Sequence, residues 1–112
     1  MTMANPLRGE SSLEIEGTVY NLKMSMNAIC IAEKLTGLKT PEMLNDLQEG
    51  SFTVIRALFA ASMSGKIPEM TLEKAGDLMQ AAGIDVVTDT LTKMLESAFP
   101  KPKTETGAAN PL

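Results

Sequence analysis

Histidine and tryptophan are absent from this sequence, and cysteine occurs once. The lack of histidine removes the side chain most often used as a general base and the commonest ligand of transition metals. With Cys30 alone, the chain can form neither an intramolecular disulfide nor a zinc set, which sets it apart from disulfide-stapled secreted domains. An excess of positive charge is missing too: 10 Lys and Arg stand against 14 Asp and Glu, a net charge of −4. Nucleic-acid binders draw most of their affinity from neutralising phosphates, and here the basic residues are scattered singly, with only Lys101 and Lys103 close together. Neither a nucleic acid nor an anionic membrane surface is an expected partner. Long apolar runs are also lacking. The longest, Ala57-Leu58-Phe59-Ala60-Ala61, is far short of the roughly 20 residues that span a bilayer. Residues 1–12 contain no apolar stretch resembling a secretion signal, so the cytoplasm is the expected location.

What is present describes a folded domain. At 112 residues there is room for one domain, and 44% hydrophobic against 21% charged residues is the balance of a globular protein. Aromatic residues make up only 4%, so aliphatic side chains, alanine and nine methionines must fill the core. Leu13 and Ile15 alternate with polar residues, and beyond Gly17 and Thr18 the alternation resumes through Val19, Tyr20, Leu22 and Met24. Two period-2 runs around a glycine predict a β-hairpin over about 11–24, turning at Glu16-Gly17 or Gly17-Thr18. A lone hairpin is marginal in water, and helices are the only elements left to support it.

The helix signals follow in order. Ser25 is the expected N-cap of a helix to about Leu35, with Gly37 beyond it. Its apolar residues, including Met26, Ile29, Cys30, Ile31 and Leu35, cover a wide face. Thr40-Pro41 reads as cap and first position of a short helix to about Gln48. Ser51 caps the most apolar segment, Phe52 to Met63, where Phe52, Ile55, Phe59 and Met63 share one stripe; it is the expected central helix. Thr71 caps a helix over 72–82 ended by Gly83, and Asp85 caps the last, to about Phe99, before Pro100. The expected fold is α+β: an N-terminal hairpin packed on four to five helices. Residues 1–9 are expected to be flexible, 10–99 to form the single domain, and 100–112 to be a disordered tail.

No set of residues recommends an enzyme. Cys30 lies on an apolar helix face, where a catalytic thiol would need an electropositive neighbourhood and a base, and reads as a small buried hydrophobe. Glycines occur singly, so there is no phosphate-cradling loop. Asp85 and Asp89 are one helical turn apart, but Asp85 is explained as a cap. Glu14 and Glu16 read as the polar face of a hairpin, and Glu33 borders an apolar stripe where it can pair with a neighbour. No cofactor, metal or catalytic residue is expected. What remains is surface, where methionine can serve equally in a core and in an adaptable binding groove.

The order of these segments supports a resemblance. Ala4-Asn5-Pro6-Leu7-Arg8-Gly9-Glu10 leads into Leu13-Glu14-Ile15-Glu16-Gly17 and Val19-Tyr20-Asn21-Leu22. Then come Ala28-Ile29-Cys30-Ile31-Ala32-Glu33-Lys34-Leu35-Thr36-Gly37 and Val54-Ile55-Arg56-Ala57-Leu58-Phe59-Ala60-Ala61. This series, over roughly residues 4–99, resembles the small tail assembly chaperones of gene transfer agents and related long-tailed phages. Thr36, between Leu35 and Gly37, departs from the family's pattern. The resemblance implies a non-catalytic protein of the bacterial host cytoplasm that binds the tape-measure protein during tail assembly, with tail-tube subunits open as a second client. Two other roles stay open, a minor structural component retained in the particle and a host protein-binding adaptor, and so does self-association into a homo-oligomer. The client surface expected from the sequence is the apolar surplus of the two C-terminal helices around Met79, Met94 and Phe99.

Overall fold

The computed structural model describes residues 9–99. Strands β1 (Glu10–Ile15) and β2 (Thr18–Lys23) precede five helices: α1 (Met26–Thr36), α2 (Thr40–Gln48), α3 (Phe52–Ser64), α4 (Leu72–Ala82) and α5 (Ile84–Ala98). The fold is α+β, as the periodicities predicted. The expected tail over 100–112 and the stretch 1–8 lie outside the described residues.

The strands pair antiparallel with Ile15 opposite Thr18, Leu13 opposite Tyr20 and Ser11 opposite Leu22. Glu16 and Gly17 form the two-residue turn with φ of 52° and 85°. Positive φ at both central positions gives the tight turn whose twist suits a hairpin. The period-2 alternation then sends Ile15, Leu22 and, beyond β2, Met24 into the core, while Val19 and Glu14 face solvent. Glu16 is in the turn and does not share a strand face with Glu14. The inner face meets α3 from β2 and α4 and α5 from β1, which supplies the support a lone hairpin lacks.

Helix α3 is the centre, packing against the four other helices and β2. From Val54 to Met63 every residue except Arg56 is buried, in keeping with a sequence apolar nearly all round. Ser62 is buried among them, and its hydroxyl is satisfied by donating to the Phe59 carbonyl at 2.8 Å. Ser51 caps the helix, its Oγ accepting from Val54 N–H at 3.3 Å. Ser25 and Thr71 cap α1 and α4 in the same way, each at 3.1 Å.

Two expected caps are corrected. Helix α2 starts one residue early, at Thr40, with Lys39 as its N-cap. Thr40 directs both its N–H (2.9 Å) and its hydroxyl (2.7 Å) to the Glu33 carboxylate, fastening α2 to the end of α1. Helix α5 starts at Ile84, with Gly83 in the cap position at φ 100°, a backbone state that glycine adopts readily. Asp85 therefore stands in the first turn, where its charge favours the helix N-terminus without capping it. Gly9, expected in a loose segment, is buried and anchored: its N–H donates to Ser97 Oγ at 3.1 Å and its carbonyl accepts from Met24 N–H at 2.7 Å.

Candidate partner-binding surface

Phe52 is the first residue of α3, and although its stripe-mates Ile55, Phe59 and Met63 are buried, Phe52 itself is 67% exposed. It stands between two grooves. The first, 460 Å³, is walled by Phe52, Thr53 and Arg56 of α3, by Gly76, Met79 and Gln80 of α4, and by Ile84 at the start of α5. The second, 410 Å³, lies on the other side of Phe52 and Ile84, with Leu47 and Ile55 in its apolar lining and Asp85 and Asp89 among its polar residues.

Arg56 gives the first groove its chemistry. The residue is half-buried, and its Nε is sealed from solvent with no hydrogen-bond partner among the described residues. Its stem lies against α4 at Gly76, where an added Cβ would stand 3.4 Å from Arg56 Cδ. Glycine inside a helix costs about 1 kcal/mol relative to alanine, so α4 gives up helical stability at the point where Arg56 passes it. The ion pairs among the described residues, Lys23 with Glu10 and Lys93 with Asp89, do not involve it.

The residues expected to form the client surface are not brought together. Met79 is 8% exposed and lines the first groove from α4. Met94 is 2% exposed and fills the core beside Leu91 and Leu95, so it contributes no surface. Phe99 is 41% exposed at the far end of α5, roughly 20 Å from Ile84 at 1.5 Å per residue. Cys30 is also corrected: it is exposed, because α1 packs through Ala28, Ile29 and Ala32 and turns Met26, Cys30, Ile31 and Leu35 outward. Phe52 and Arg56 are the residues the sequence reading missed. Arg56 did carry a signal, as the one charge within the apolar run 52–63.

The acidic residues weighed for chemistry have structural explanations. Glu33 holds Thr40, Asp89 pairs with Lys93 at 3.1 Å, and Glu14 projects from the outer face of the hairpin. Among the described residues no cluster of three or more His, Cys, Asp or Glu could hold a metal ion, and no helix is long and apolar enough to cross a membrane. No family model, curated protein or solved structure matches the chain.

Proposed function

We propose that this protein is a non-catalytic binding domain that covers an apolar helical partner, and that it serves as a tail assembly chaperone for the tape-measure protein of a long-tailed phage or gene transfer agent. The observation carrying the binding role is Phe52, a large apolar side chain left two-thirds exposed between two grooves. Exposed aromatic residues beside a concave apolar surface are typical anchors of protein interfaces. The resemblance of the segments over 4–99 to tail assembly chaperones selects the client. A tape-measure protein presents long apolar helical stripes before the tube closes round it, and an acidic domain can cover them while staying dissolved. Because such a cover must later be displaced, weak contacts repeated along the client suit the task better than one tight one.

The test is co-purification of the tagged protein from cells assembling tails, together with analysis of purified particles. The tape-measure protein, with or without tail-tube subunits, is expected in the tagged fraction, and the chaperone is expected to be missing from finished particles. Stoichiometric presence in particles would instead identify a retained structural component. Recovery of neither tail protein would remove the assignment.

A further inference from the structure

We infer that the groove between α3, α4 and the start of α5 receives a helical partner segment bearing an acidic side chain three or four residues from a large apolar one. The carboxylate meets Arg56, and the apolar side chain lies against Phe52, Met79 and Ile84. This deepens the binding role proposed above and rests on it.

Charge complementarity selects the acidic side chain. The chain carries 14 Asp and Glu, yet no hydrogen bond or ion pair within the described residues engages the Arg56 guanidinium. Its stem is lodged against Gly76, and the residue lines a groove whose apolar walls are Phe52, Met79 and Ile84. A guanidinium presents a planar fork that matches a carboxylate with two parallel hydrogen bonds. In a groove partly shielded from water such a pair is stronger than on an open surface.

The helical client proposed above fits the spacing of the two anchors. Phe52 and Arg56 are separated by one turn of α3 and lie on the same side of it. A partner helix running along that side sets its own residues at the same interval, so an acid and an apolar residue at i and i+3 or i+4 meet both anchors together.

The experiment is selection of a displayed library of random 16-residue peptides on the full-length chain, followed by binding measurements on the peptides recovered. The expected consensus has Asp or Glu three or four residues from Leu, Ile, Met or an aromatic residue. Replacing that acid by its amide is expected to weaken binding at least tenfold, as is Arg56→Gln, with the melting temperature of the variant within a few degrees of the parent. Phe52→Ser, at an exposed position, supplies a second variant should Arg56→Gln fold poorly, and it is expected to abolish binding. Selection on Arg56→Glu should exchange the acid in the consensus for Lys or Arg. A consensus without an acid, acid and amide peptides of equal affinity, or no selected binder overturns the inference. Tape-measure co-purification that survives Phe52→Ser and Arg56→Gln would likewise overturn the site while leaving the chaperone role standing. Acid-dependent peptide binding without a tail protein in the co-purification would do the reverse.

Discussion

Gly9 ties the start of the hairpin to the end of the last helix. It adopts φ 78°, and a Cβ there would stand 2.9 Å from Ala98 Cβ and 3.0 Å from the Met24 carbonyl oxygen. Substitution by alanine therefore combines an unfavourable backbone region with overpacking, and Gly9→Ala should destabilise by roughly 1–3 kcal/mol. An unchanged urea midpoint would show that this junction is not closed in solution. Within α3 one stripe should divide sharply by position along the helix. Ile55→Ala and Phe59→Ala each remove a fully buried side chain and should cost roughly 2–5 kcal/mol, whereas Phe52→Ala should stay within about 0.5 kcal/mol. Equal losses at all three would mean that Phe52 is covered. The two ends of α5 should separate as clearly. Met94→Asp puts a carboxylate into the core and should unfold the domain, while Phe99→Asp should stay within about 1 kcal/mol of the parent in chemical denaturation.

Among the elements, α3 is the one on which the others depend, and α2 is held mainly by Met43 and Leu47 together with the Glu33–Thr40 clasp. Amide exchange should follow this difference. The amides from Val54 to Met63 should be the slowest, opening only with global unfolding, and those of α2 should exchange through local opening. Exchange in α3 as fast as in α2 would contradict its central place. The sequence made most of these elements readable because their signals are local. Alternation around Gly17 marks the hairpin, and Ser25, Ser51 and Thr71 mark helix starts through hydroxyls that reach only three residues ahead. The misread features depend on distant residues or on quantities that periodicity does not carry. Thr40 has a hydroxyl of the capping type, yet Glu33 claims it from the preceding helix. In α1, apolar residues so nearly encircle the helix that pattern alone could not say that Ala28, Ile29 and Ala32 would be chosen over Cys30 and Ile31. Phe52 has the right angle for the core stripe but sits at the helix start, and a periodic pattern reports angle and not position along the axis.

For the whole molecule, the proposed binding surface and the core that carries stability draw on different side chains of the same helix. The buried side of α3 holds the fold together, and Phe52 and Arg56, one turn apart near its N-terminus, line the first groove shared with α4 and α5. A variant can then lose its partner without losing its structure, which separates a binding surface from a core. In the proposed role this surface keeps a helical client dissolved. The most direct measurement is the soluble fraction of the tape-measure protein when it is co-expressed with the wild-type chain, with Phe52→Ser, or alone. The proposed role predicts a soluble client with the wild-type chain, and an insoluble one both alone and with a folded Phe52→Ser variant. A client equally soluble in all three conditions would contradict it.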